Sequence, residues 1–481
     1  MRQAPPAIAV FFPNQWFDTP HVRKLVKEFD ITTIIIWEDP ACFGIRKCDS
    51  YPSKIPLNSL RIAYQYAGDR IFAEKLQTAF PKVTITVVGM TEASRIKTFQ
   101  DSVVLYDPCD TLLVKKFPNA RILDSPQFLL TASECIEYAT GRKRLMHHHF
   151  FDVVKHKIKF LEDVKSTDIN NRKAWPAHAE PPPSPFIEAD KAEAKTGAIW
   201  LEAVDFVKKE FPNSPGPVGV SYATRIPITP TQARAWLKKF LVERLDDFGT
   251  YQDAIVSGEQ WLNHSGISVM LNNGLLVPND VLRLLRPLEK KETGLRVGSI
   301  EAFTRQVFGW REYARMYYLT TPPTLARLNV LGNSKKLEKY WWGASGATGP
   351  QTGIAPPIVH EAIDDAWNTG YLHHIRRLMV IANYMNLTGV HPDEMYRWMF
   401  AFALDAWPWV MVFNVYSMGS WSDGGHAMRK PYVSSSSYIS KMARPIIKDP
   451  WKSEWDALYK QFLHKHREAL KHTILAVGSK N

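Results

Sequence analysis

Cysteine is scarce and poorly spaced for metal work. The 481 residues hold four, Cys42, Cys48, Cys109 and Cys135, all in the first third of the chain and none in a CxxC pair. That argues against paired-cysteine zinc frameworks and disulfide-dense scaffolds, and reads as isolated reduced thiols of an intracellular protein. No apolar run reaches the roughly 18 residues of a membrane-spanning helix, and the short polar start 1–6 reads as no secretory leader. Neither GxGxxG nor GxxxxGK[ST] occurs, which removes two common nucleotide fingerprints. His147, His148 and His149 are consecutive and cannot share one helix face, so they make a poor metal site, and none is expected.

Apolar residues make up 45% of the chain and charged residues 22%. A chain of this length exceeds a single compact core and implies at least two domains. Lys and Arg number 60 against 48 Asp and Glu, a net charge of +12. A surplus of that size favours a polyanionic partner, nucleic acid or an acidic membrane surface. The 16 Trp can stack on bases, fill a core or relay electrons, and composition does not choose among these.

Residues 1–130 alternate. Short β-branched or aromatic runs at 8–12, 32–37, 83–88 and 103–105 are separated by helix-like stretches at 21–29 and 57–80. This predicts an α/β, Rossmann-like domain with a mostly parallel sheet. Ligands of such sheets sit at the carboxyl ends of the strands. Asn14, Gln15, Glu38 and Asp39 follow the first two runs and could line such a crevice, although each is also an ordinary turn residue. Residues 131–200 read as a connector, with a stiff Pro181-Pro182-Pro183 segment. From 201 to 481 the pattern is helical, at 233–248, 281–285, 300–318, 358–385, 393–406 and 451–472. The stretch 413–437, rich in Gly, Ser and Asn, reads as a long irregular loop of the functional kind.

Four clusters can carry chemistry. Ser265-Gly266-Ile267-Ser268 offers small hydroxyls at a helix start, a phosphate site or only a cap. Arg305-Gln306 with Gly309-Trp310-Arg311 lies on one amphipathic helix. His374 and Arg377 share a helix face at i, i+3. A histidine beside a fixed cation is held neutral yet still donates one hydrogen bond, which suits proton donation to an anion. A basic helix facing phosphates explains the same residues equally well. Trp398, Trp407 and Trp409, with Trp341 and Trp342 upstream, form an aromatic set that is core by default.

Taken in order, Tyr251-Gln252-Asp253-Ala254, the 305–313 segment, His373-His374-Ile375-Arg376-Arg377-Leu378-Met379, Asp405-Ala406 and the stretch from Asp423 through Lys430-Pro431-Tyr432-Val433-Ser434-Ser435 resemble the cryptochrome/photolyase superfamily. The likeness is to its bacterial iron–sulfur (6-4) photolyase branch. Arg142-Lys143-Arg144-Leu145, Phe150-Phe151 and Asn171-Arg172-Lys173 resemble the connector of that branch.

The resemblance implies an antenna-binding α/β domain at 1–130 and an all-helical FAD-binding domain at 201–481. It implies light-driven repair of UV-damaged DNA, most readily the (6-4) photoproduct, by an intracellular monomer with no membrane partner. A cryptochrome-like photoreceptor, a cyclobutane-dimer photolyase or a nucleic-acid binder that keeps only the fold are the alternatives. By position, Tyr251, His264, Ser265, Ile267, Ser268, Gln306, Trp310, Arg311, His374, Arg377, Asp405 and Asn414 resemble flavin contacts. His373, His374 and Tyr432 resemble lesion-pocket residues. Trp398, Trp407 and Trp341 or Trp342 resemble an electron relay. The antenna of that branch is 6,7-dimethyl-8-ribityllumazine, and Asn14, Gln15, Glu38 and Asp39 are its candidate neighbours here.

Three departures stand out. Ile358 falls where the branch has its first cluster cysteine, and 442–455 holds none of the others, so no iron–sulfur cluster is expected. Met411 stands where the branch has Glu near the flavin, and an insertion at 346–353 blurs the outer Trp.

Overall fold

The computed structural model describes residues 7–46, 50–92, 103–166, 173–186, 194–219, 225–289, 295–342, 355–444, 451–473 and 475. Residues 1–6, Cys48, Asn171, Arg172, the 346–353 insertion and part of 442–455 lie outside them.

Five strands, β1 (Ile8–Phe11), β2 (Thr33–Trp37), β3 (Thr84–Val88), β4 (Val103–Tyr106) and β5 (Arg121–Leu123), form one parallel sheet in the order β3-β2-β1-β4-β5. Strand β2 carries Ile34-Ile35-Ile36 buried on both faces, as a sheet covered on both sides requires. The expected α/β fold is therefore present. Strand β5 was not expected: its three residues are too short for a pattern, and Arg121 and Ile122 are exposed.

Helix α1 (Thr19–Glu28) is capped by Asp18, and α2 (Ser59–Ala79) by Asn58. Helix α2 is buried on most sides because it lies between the sheet and the helical half. Its Arg61 guanidinium donates to the Phe400 carbonyl and, at 2.6 Å, to the Ala406 carbonyl. A buried cation thus satisfies the Phe400 carbonyl in the last turn of the helix Pro392–Phe402 and the Ala406 carbonyl in the loop beyond it.

The remainder is helical apart from a two-residue parallel ladder, Ile255–Val256 against Ala443–Arg444. Three expected helices are altered, each beside the cavity described below. The 358–385 run is two helical pieces. Pro357–Thr369 ends at Gly370, whose φ of +65° closes the helix. Residues 370–373 are then non-helical, and helix resumes into a π-helical stretch, Arg376–Ala382. The 393–406 helix stops at Phe402, which leaves Asp405 on the following loop. The 413–437 loop begins as a second π-helical stretch, Phe413–Gly419, and a third, Arg305–Trp310, interrupts the 300–318 run. Such wider turns collect at functional sites and have no sequence periodicity of their own.

Candidate functional site

The helical half encloses a cavity of about 910 Å³, within the size range of ligand pockets, about 300–1,000 Å³. Three elements build one wall. The turn His264-Ser265-Gly266-Ile267 needs glycine, because Gly266 has φ +65° and a Cβ there would meet the Trp261 ring at 2.6 Å. It presents His264, Ser265, Ile267 and Ser268 to the cavity. The Ser268 hydroxyl donates to Asp405 Oδ2 at 2.7 Å. From the resumed helix, Arg377 grips the same carboxylate with both terminal nitrogens, at 2.9 and 3.2 Å. Paired forks of this kind fix geometry as well as charge.

The break at Gly370 places His373 and His374 on this wall. The His373 ring lies parallel to that of His264, centroids 4.2 Å apart and planes 13° apart. His264 Nε2 and both ring nitrogens of His373 are buried without a protein partner. Polar atoms in that condition are costly unless a ligand or water meets them. Burial, with His374 adding a little, pushes His264 down to about 3. Burial and the neighbouring His264 hold His373 well below the usual imidazole value. The His374 ring opens onto the cavity. Burial, with the Arg377 guanidinium beside it, pushes it down to about 4. All three are neutral at neutral pH and can each offer one N–H.

The opposite wall is aromatic and cationic. Gln306 and Trp310 line the cavity from the Arg305–Trp310 stretch. His147, from the start of the helix His147–Ile158, stacks on Trp310 at 3.6 Å and 10°. Burial pushes His147 down to about 3, and its Nε2 has no partner. Arg311 donates to the carbonyls of Gln127 and Leu271 and lies over Phe128 and Trp409. With no carboxylate hydrogen-bonded to it, burial pushes it down to about 10. Asn414 and Tyr432 also line the cavity, as do Trp409 and Met411. Lys155, Lys165 and Lys430 line it together with Asp152, Glu162, Asp163, Asp253 and Glu301, and Lys155 pairs with Asp152.

The other sequence candidates lie elsewhere. Tyr251 ends the helix Leu245–Tyr251 and packs edge-on against Trp175 at 4.9 Å, outside the cavity lining. Trp398 sits one layer back, on the helix whose Met395 and Met399 line the wall. Its indole N–H donates to the Trp341 carbonyl at 2.6 Å. Rings of Trp341 and Trp367 lie 5.6 and 6.2 Å from it, and Trp342 is 6.2 Å beyond Trp367. Trp407 stands apart from this group: its indole donates to Asn273 Oδ1, and Arg61 lies over its ring.

At the sheet, Asn14 donates to the Pro108 carbonyl and Gln15 to that of Tyr106. Glu38 pairs with Arg70, and Asp39 with Lys116. Asn14 Oδ1, Glu38 Oε2, Asp69 Oδ2 and both side-chain polar atoms of Gln65 remain buried without partners.

Sequence reasoning missed His147 and Trp367. His147 had a signal, since it continues the buried stripe Phe150, Phe151, Val154 and Ile158 at helical spacing. Trp367 had none beyond its place on a helix.

Among the described residues, no group of His, Cys, Asp and Glu is arranged to hold a metal ion, and no helix is long and apolar enough to cross a membrane.

Residues 34–221 match the family described as deoxyribodipyrimidine photo-lyase-related protein. The chain is 31% identical over 364 residues to the (6-4) photolyase of Agrobacterium fabrum (strain C58 / ATCC 33970), covering 72% of this chain and 68% of that one. A stretch of 94 residues is 44% identical to uncharacterized protein R855 of Acanthamoeba polyphaga mimivirus, 19% of this chain and 76% of that one. The fold resembles Synechocystis sp. PCC6803 cryptochrome, with TM-score 0.56 and 16% identity over 98% of this chain and 90% of that one. It also resembles a bacterial class III photolyase from Agrobacterium tumefaciens, with TM-score 0.58 and 13% identity over 98% and 99%.

Proposed function

The chain belongs to the cryptochrome/photolyase superfamily, and from that premise we propose that it repairs UV-damaged DNA in a light-driven, FAD-dependent reaction, with the (6-4) pyrimidine photoproduct as its lesion. The observation that carries the reading is the single wall on which His264 stacks on His373 while His374 and the Arg377–Asp405 pair face the same ligand-sized cavity.

The residues fit a flavin. Three unpaired imidazole nitrogens, a hydroxyl-bearing turn and an aromatic wall offer donors to a polar ring edge and a surface for an apolar ring face. His264, Ser265, Ile267, Ser268, Gln306, Trp310, Arg311, Arg377, Asp405 and Asn414 would hold it. Once bound and reduced, FAD supplies the light-driven electron.

The protein then has three tasks. Desolvation, with the Arg377 guanidinium that Asp405 holds in place, keeps the imidazole of His374 neutral. That ring offers its N–H to an extruded lesion base. When the lesion gains an electron, that N–H would be shared with its anionic atom, the imidazolate so formed being held by the adjoining Arg377 cation, and the proton would return as the electron leaves. His373 and Tyr432 shape the pocket. The net charge of +12 favours binding of the phosphate backbone.

An antenna chromophore, a ribityl-lumazine by resemblance, is assigned to the carboxyl ends of β1 and β2. The unpaired atoms of Asn14 and Glu38, and of Asp69, which accepts from Trp16 and feels the Glu38 charge, support a polar ligand there. The protein is read as lacking an iron–sulfur cluster, since all four cysteines precede residue 136. Ile358, Trp451 and Trp455 are buried apolar residues in the region where ligands would stand.

Assay of (6-4) and cyclobutane lesions under blue light tests the reading. Repair of the first and not the second supports it; repair of neither removes it. The contiguous Trp398, Trp341, Trp367 and Trp342 array also favours a photoreceptor without repair. A pure receptor binds damaged and undamaged duplex alike.

A further inference from the structure

We propose that light-driven electron flow has two exits from Trp398, one through Trp367 to Trp342 and a second through Trp341 and Tyr384 to Trp455 and Trp451. The proposal rests on the flavin reading above. It goes beyond it by adding residues on the C-terminal helix that no motif marked.

The geometry is continuous. Trp341 lies 5.6 Å from Trp398, Tyr384 6.4 Å from Trp341, Trp455 5.4 Å from Tyr384 and Trp451 5.8 Å from Trp455, all between ring centroids. Every step is a direct aromatic contact, and electron transfer between touching rings outruns transfer over the whole span in one step. The four residues beyond Trp398 are nearly inaccessible to solvent, at 2% for Trp341, 5% for Tyr384, 0% for Trp455 and 5% for Trp451. The indoles of both Trp398 and Trp367 donate to one acceptor, the Trp341 carbonyl, at 2.6 and 2.9 Å. That carbonyl stabilises a positive charge at the fork itself. Trp455 donates to the Ser434 carbonyl at 3.0 Å. On the other exit, Trp342 is only partly buried.

One electron leaves Trp398 toward the cavity for each photon used. The hole is filled from Trp341, then from Tyr384. The phenol of Tyr384 becomes acidic when oxidised and passes its proton to a neighbouring carboxylate. Glu454 and Glu338 are the acids whose charges act on it, and both are exposed. Tyr384 regains electron and proton as Trp455 and Trp451 are oxidised in turn. A small-molecule thiol in solvent reduces the terminal indole, Trp451, across the 5% of its surface that remains exposed. Two such events join two thiols as a disulfide and release two protons.

The test uses the purified holoprotein, oxidised, under blue light with a thiol. Flavin reduction is followed by absorbance, and radicals are trapped by freezing for electron paramagnetic resonance. Tyr384→Phe keeps the ring and Trp342→Phe replaces a half-buried indole with a smaller one, so a melting curve checks each. Either single variant is expected to slow photoreduction by about twofold and the double variant by more than an order of magnitude, the non-additivity of parallel routes. The wild type is expected to show a tyrosyl signal that Tyr384→Phe lacks. Loss of photoreduction in Trp342→Phe alone, or a double variant no slower than that single, overturns the second exit. A preparation without flavin absorbance before illumination contradicts the functional reading itself and takes the route with it.

Discussion

His264 and His373 stack with their rings 4.2 Å apart and nearly parallel, and three of the four ring nitrogens in the pair have no protein partner. Two imidazoles so placed cannot both carry charge, because burial and mutual repulsion disfavour the cation.

Acid should therefore weaken the fold. Burial pushes His264 and His147 down to about 3 in the folded protein, against 6.5 for an unperturbed imidazole. Below 6.5 the unfolded chain binds more protons than the folded one, so stability falls as pH drops from 6.5 toward 4 and is fully present above 6.5. Urea midpoints between pH 4 and pH 8 measure this. His264→Gln should flatten the slope; an unchanged slope would mean His264 does not carry it.

Asp405 holds Arg377 and Ser268 together. Asp405→Ala strips the carboxylate from a mostly buried guanidinium, a change that costs about 3–5 kcal/mol for buried pairs. Loss of chromophore on gel filtration and a lower melting temperature are expected. Arg377→Lys in the otherwise unchanged protein should show the same two effects, since one ammonium cannot replace the fork on Asp405.

Gly370 is a backbone requirement. With φ +65° and a would-be Cβ 2.7 Å from Leu404 Cγ, Gly370→Ala should destabilise by more than about 1 kcal/mol. Because this turn sets His373 and His374 on the cavity wall, repair should fall further than stability does. A stable variant with full repair would show that the turn has no part in positioning them.

Binding to lesion-bearing duplex should weaken steeply with salt, with a log–log slope of about −0.9 per phosphate neutralised. Lys430→Ala, at the cavity, should shallow that slope. A slope near zero would leave the surplus of positive charge without a role in docking.

Much of the fold was legible because its signals are local. Ile34, Ile35 and Ile36 mark a buried strand in any context, and His374 with Arg377 mark one helix face. What escaped depends on distant parts. Strand β5 exists only because β4 offers it an edge. The end of a helix at Gly370 looked tolerable within an otherwise periodic run, and only the approach of Leu404 makes it obligatory. The π-helical stretches that turn Gln306, Arg377 and Asn414 inward have no pattern to read. Trp407 could not be separated from Trp398 by spacing, yet its indole is engaged with Asn273 on a different side of the core.

If the cavity of about 910 Å³ holds FAD against His374, the absorption spectrum of the purified protein and chromatography of the chromophore released by heat will show it. One FAD per chain and no iron are expected. A colourless protein with nothing to release would mean that the cavity serves another ligand.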